Sequence, residues 1–130
     1  MSPGDRRASD AGGVLVEFVL VAILVVIIAL GVVQLSLALH VRNVVISAAS
    51  EGARLAAAQD RGLGEGEART RELLSSALGD YPVVVTSSTT AIGGADAVVI
   101  EVLAPVPVFG LWGIGSIREE AHALEEVRRG

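Results

Sequence analysis

Gly12 to Leu39 reads GGVLVEFVLVAILVVIIALGVVQLSLAL, and the rest of the chain is arranged around it. From Phe18 to Leu39 this run carries no charge, and its polar members are Gln34 and Ser36. A helix that crosses hydrocarbon needs about 20 apolar residues, each rising about 1.5 Å, to span about 30 Å. The run meets that length. A cleavable secretory signal has an apolar region of only about 7–15 residues, and no convincing small-x-small site follows here. Residues 13–40 therefore read as a retained transmembrane helix in contact with membrane lipid. Glu17 departs from a plain anchor: it is an acid near the head of an apolar helix, shortly after Gly12 and Gly13.

Composition limits what can surround the anchor. A chain of 130 residues leaves room for one small domain beyond it, near the lower end of what closes its own core. The net charge is −5, and all 10 basic residues are arginine, scattered along the chain. That pattern excludes a nucleic-acid-binding surface. With no cysteine, an extracytoplasmic domain must be held by packing and partners rather than disulfides. The sequence shows no phosphate-binding glycine loop, nucleophile–base pair or metal cluster, so it reads as a non-enzyme with no cofactor and no small-molecule substrate.

Met1 to Ala11 (MSPGDRRASDA) is polar and carries Pro and Gly, the composition of a disordered segment. Arg6 and Arg7 precede the anchor, while His40 and Arg42 follow it. The charge comparison is nearly even and slightly favours a cytoplasmic N-terminus, with residues 41–130 exported from a single-pass inner membrane anchor. Helical spacing continues past the anchor. Val41, Val45, Ala48, Gly52 and Leu55 form a stripe opposite Asn43, Ser47, Ser50, Arg54 and Arg61. One helix is expected from about Gly13 to about Asp60, apolar all round in its first half and amphipathic in its second. Gly62–Gly66 (GLGEG) breaks it. Glu67 to Leu78 reads as a short second helix, with Glu67 and Arg71 in favourable order and Leu74, Ala77 and Leu78 on its apolar face.

Beyond Gly79 the pattern changes. Tyr81–Thr90 and Ala97–Ala104 are rich in Val and Thr and read as strands joined through Gly93-Gly94, with Glu101 turned to water. Pro105 and Pro107 end the second strand. Ser116 to Val127 reads either as a third strand of mixed polarity or as a helical end. The expected fold class is α+β: a long N-terminal helix, a short second helix and a small antiparallel sheet laid on the amphipathic half.

Gly12, then Gly13-Val14-Leu15-Val16, then Glu17-Phe18 at the head of an apolar helix resembles the type IV prepilin-like pattern. With Ser47 to Arg54 (SAASEGAR) and a Pro-containing loop over Pro105–Gly115, the chain resembles the TadE-like family of tight-adherence (Flp) pilus pseudopilins. The resemblance implies a leader at 1–12 removed by a prepilin peptidase. The Gly12-Gly13 pair offers two bonds, and the spacing to Glu17 favours the one after Gly12. It also implies a minor pilin or pseudopilin that assembles with other pilins and with assembly-platform proteins. The alternative is an uncleaved, membrane-anchored interaction domain that joins no filament.

Glu17 has its own chemistry. A carboxylate in hydrocarbon costs several kcal/mol unless it is paired, neutralised or able to reach the surface. A freed α-amine on Gly13, of the same or a neighbouring subunit, would pair with it, and pairing between subunits would fix the axial register of adjacent helices. Otherwise Glu17 is an interfacial acid reaching headgroups. Three weaker candidates accompany it. Glu51, Gly52 and Arg54 are either helix-packing contacts or a solvated face with a local ion pair. Phe109 and Trp112 are either a partner-binding tip or cover for a small core. His40 and His122 have no metal-ligand spacing, and Glu119, Glu120, Glu125 and Glu126 read as a solvated face.

Overall fold

The computed structural model describes residues 3–58, 61–106 and 116–125, with the side chains of 3–9 left aside. Helix α1 spans Pro3–Ala57 and helix α2 Leu63–Leu78. Strands β1 (Val84–Ile92), β2 (Ala95–Pro105) and β3 (Ser116–Leu124) follow. They form one antiparallel sheet in the order β1-β2-β3. The fold is α+β. The chain divides into two compact units, Met1–Ser36 and Leu37–Gly130.

Two helix starts differ from the sequence expectation. Helix α1 begins at Pro3 rather than after a disordered Met1–Ala11. Proline is tolerated in a first helical turn because its missing N–H would have no intrahelical partner there. Helix α2 begins at Leu63 rather than Glu67, and Gly62, with its extended backbone (φ −122°, ψ 167°), forms the N-cap. Gly64 and Gly66 are inside the helix, and Gly66 has a packing reason to be glycine. At the other end Gly79 turns left-handed (φ 65°) and donates its N–H to the Ser75 carbonyl at 2.9 Å. This is the stop that glycine supplies without a Cβ penalty.

In the first unit, the large apolar side chains of α1 from Val14 to Leu35 are exposed all round. The second unit has a core. Val41, Val45, Ala48, Ala49, Ala53, Ala56 and Ala57 of α1 are buried with Leu74 of α2, Val85 of β1, and Val98, Ile100, Val102 and Ala104 of β2. Full burial of a Val, Leu or Ile side chain stabilises by about 1.5–3 kcal/mol each. The residues opposite, Asn43, Ser47 and Arg54, are exposed as the helical pattern requires. Ala77, expected on the inner face of α2, is exposed instead, because Gly66, Thr70 and Leu74 form the buried line.

α1 and α2 meet through small residues. A Cβ on Gly52 would lie 2.6 Å from the Gly66 carbonyl oxygen and 1.8 Å from Thr70 Oγ1. A Cβ on Gly66 would lie 2.5 Å from both the Gly52 carbonyl oxygen and Ala56 Cβ. The two backbones are in direct contact, which only glycine at both positions permits. Thr70, fully buried, donates to the Gly66 carbonyl at 2.8 Å and lies 3.4 Å from the Ala48 carbonyl, so its hydroxyl is satisfied within the crossing.

The sheet is set by its turn. Gly93 (φ 60°) and Gly94 (φ 85°) are both left-handed, the geometry of a two-residue hairpin whose twist suits the strands. Ile92 opposite Ala95 closes the β1–β2 ladder. β1 starts and ends later than the expected Tyr81–Thr90, since the turn needs only the glycine pair. Ser116–Leu124 is a strand, which decides the open alternative. Its Ile117, Glu119, Ala121 and Ala123 are half-buried on the inner face, opposite Ala104, Val102, Ile100 and Val98, and the intervening residues are exposed.

Candidate assembly element

The residues singled out in the sequence fall into three separate places. Gly12, Gly13, Glu17 and Phe18 lie on the first part of α1, all exposed. A Cβ on either glycine would meet nothing within 4 Å, so neither is glycine for lack of room inside this chain. Helical neighbours of Glu17, three and four residues away, are Gly13, Val14, Leu20 and Val21. None carries a cation. Gly13 is one turn before Glu17, about 6 Å along the axis at 1.5 Å per residue. An amine at Gly13 would sit within reach of that carboxylate.

Glu51, Gly52 and Arg54 divide between two roles. Gly52 is buried, and its close approach is to α2 of the same chain. Glu51 and Arg54 are exposed, 3.7 Å apart, and Arg54 Nε also donates to the Ser50 carbonyl at 3.4 Å. Beside them a shallow cleft of about 220 Å³ is lined by Arg54, Ala57, Ala58, Ala123 and Leu124. It brings no nucleophile and base together. Phe109, Trp112 and Glu126 lie outside the described residues.

The acids of β3 do not form one solvated face. Strand alternation turns Glu119 inward, where its carboxylate accepts from Arg42 Nε of α1 at 2.7 Å. Glu120 faces the other way, 3.8 Å from His122. Glu101, expected to face water, is half-buried and bridges to Arg118 at 3.3 Å. Among the described residues no three His, Asp or Glu side chains are grouped to hold a metal ion.

One polar cluster was only half legible. Glu67 accepts from Arg71, as the spacing implies, but also from Ser87 Oγ of β1 at 2.9 Å. Arg71 Nη2 further donates to the Val85 carbonyl at 3.2 Å. The Ser87 hydroxyl first, and the Arg71 guanidinium second, hold the Glu67 carboxyl below its usual value. Tyr81 donates its hydroxyl to the Pro105 carbonyl, and burial pushes its phenol above the usual range. These ties fasten α2 and the following linker to the sheet. Nothing in Ser87 or Pro105 alone announces them, because they depend on strand register.

The helix of α1 over Asp10–Ala57 is long and apolar enough to cross a membrane. No curated protein and no solved structure matches the chain. The family comparison does find a match, and it starts at Gly12 and ends at Arg54, ahead of α2 and the sheet. Residues 12–54 match the TadE-like protein family, in agreement with the resemblance carried by the Gly12–Phe18 and SAASEGAR segments, and the match points to a Tad pilus-associated protein.

Proposed function

We propose that this chain is a minor pilin or pseudopilin of a tight-adherence pilus or a related secretion filament. It is matured by a prepilin peptidase that cuts after Gly12 and is anchored by α1 with its N-terminus in the cytoplasm. The observation that carries the reading is the TadE-like match over 12–54, on a helix whose apolar side chains are exposed throughout Val14–Leu35. Such a surface far exceeds the few hundred Å² that a soluble monomer leaves uncovered. Lipid, and then neighbouring helices, supply the missing cover. In this reading residues 41–130 are extracytoplasmic, and the partners are the peptidase, other pilins and the assembly platform.

Glu17 provides the register. The new amine on Gly13 of one subunit pairs with the Glu17 carboxylate of the next, because only one axial offset neutralises both charges in hydrocarbon. Glu17→Gln keeps size and removes the charge. The variant should insert, should still be cut after Gly12, and should be lost from sheared filaments and from crosslinks to other pilins. Assembly of Glu17→Gln at the parental level would reduce Glu17 to an interfacial acid and refute the register mechanism.

A further inference from the structure

Within the second unit, β3 runs alongside α1 in the same direction. Arg42 of α1 donates to Glu119 at 2.7 Å, and Arg54, Ala57 and Ala58 share a cleft with Ala123 and Leu124. Arg42 to Arg54 rises about 18 Å, and Glu119 to Leu124 about 17 Å, so the two spans match. Carried the other way, the start of β3 at Ser116 lies about 10 Å before Glu119. That is the level of the last turns of the apolar run, which ends at Leu39. Pro105 pairs with Ser116 and Val84 with Leu103, so the end of β2 and the start of β1 share this end of the sheet.

This end is built without charge. No charged residue occurs between Asp80 and Asp96 or between Glu101 and Arg118. Val84 is 57% exposed, and Pro82 is exposed two residues before it. Arg118, in register with Leu103, is paired at 3.3 Å with Glu101, farther from this end. Backbone polarity is low as well. Pro82 and Pro105 have no N–H, and Tyr81 donates its hydroxyl to the Pro105 carbonyl. A polar group without a partner is costly at a lipid boundary, and this carbonyl has one. The far end of the sheet differs: there Glu125 follows β3 and its N–H donates to the carbonyl of Asp96 at 2.9 Å.

We infer that this end of the sheet, around Tyr81, Val84 and Pro105, rests in the headgroup region of the bilayer that α1 enters, as a second lipid contact beside the anchor. Position decides the occupant, because the apolar run fixes where lipid begins and the uncharged end lies at that level. A tyrosine among apolar neighbours is also the composition that membrane interfaces favour. The contact is apolar, since a chain of net charge −5 gains nothing from anionic headgroups. This inference rests on the membrane reading of α1 and not on cleavage at Gly12 or on assembly.

The chain has no cysteine, so single introduced thiols can each carry a bimane fluorophore. The full chain with Ser116→Cys, Leu124→Cys or Val33→Cys is reconstituted in phosphatidylcholine vesicles whose lipids carry a nitroxide on the upper acyl chain. Ser116 and Leu124 are both exposed and lie on one face of β3. The probe at Ser116 should be quenched, as should the probe at Val33 in the anchor. The probe at Leu124, about 27 Å farther along the strand, should keep its fluorescence. Adding Val84→Glu, at an exposed position outside the core, should abolish quenching at Ser116 and leave it at Val33. Quenching at Val33 without quenching at Ser116, equal quenching at Ser116 and Leu124, or quenching at Ser116 that survives Val84→Glu would each overturn the inference. Full fluorescence at Val33 would overturn the membrane reading of α1 itself.

Discussion

The two parts of α1 use apolar residues in opposite ways. Over Val14–Leu35 the side chains are large, Val, Leu and Ile in every direction, and all are exposed. Over Ala48–Ala57 the buried residues are alanines and Gly52, and they touch α2 closely enough for backbone to meet backbone. Large exposed apolar residues make a helix adaptable to lipid and to many neighbours. Small buried ones commit a helix to one partner at one distance. The same secondary structure thus supplies a generic surface in one unit and a specific joint in the other.

The largest expected contrast comes from one residue type placed in each region. Ile100 is fully buried and Ile27 is 61% exposed. Ile100→Ala should destabilise the second unit by about 2–5 kcal/mol through lost burial and a residual cavity. Ile27→Ala should leave its stability unchanged. Thermal unfolding in detergent, followed by the sheet signal, measures both, and equal effects would erase the distinction.

Glycines in α1 sharpen the comparison. Helix propensity alone would make glycine to alanine favourable by about 1 kcal/mol. At Gly31 nothing lies within 4 Å of an added Cβ, so Gly31→Ala should be neutral or slightly stabilising. At Gly52 an added Cβ would lie 1.8 Å from the buried, hydrogen-bonded Thr70 hydroxyl and 2.6 Å from the Gly66 carbonyl oxygen, which is backbone. The helices must separate, and Gly52→Ala should cost about 1–3 kcal/mol. A stabilised Gly52→Ala would show that the crossing has slack.

The smallest effect is a pH dependence confined to the second unit. Because Ser87 and Arg71 hold the Glu67 carboxyl below its ordinary value of 4.5, the folded state binds that proton less readily than the unfolded chain. Stability from this cluster is therefore complete above the ordinary value and is lost as pH falls through the lowered one. Glu67→Gln should flatten the stability profile in that acid window. An unchanged acid slope in the variant would assign the slope to other carboxylates.

Much of the architecture was legible in the sequence because the signals were periodic. The stripe Val41, Val45, Ala48 and Gly52 at helical spacing, and the Val-rich runs around Gly93-Gly94, follow from local geometry and survive into the structure. Local geometry does not give pairings. Glu119 looked like one of several surface acids until register turned it toward Arg42. Gly66 looked like part of a helix break because its reason to be glycine is Gly52, fourteen residues earlier in the chain. The helix start at Pro3 is hidden in the sequence for a different reason: a leader-like composition masks the tolerance of a first turn for proline. The Gly12–Phe18 element was legible as a pattern, and its chemistry awaits the amine that cleavage would create.

That amine gives the most direct test. The protein is recovered from membranes of cells that carry a prepilin peptidase, and its N-terminal residue is identified by mass spectrometry. Gly13 as the first residue is the predicted result, with Glu17 then one turn into the mature helix. A chain still carrying Met1–Gly12 in those cells would contradict the account.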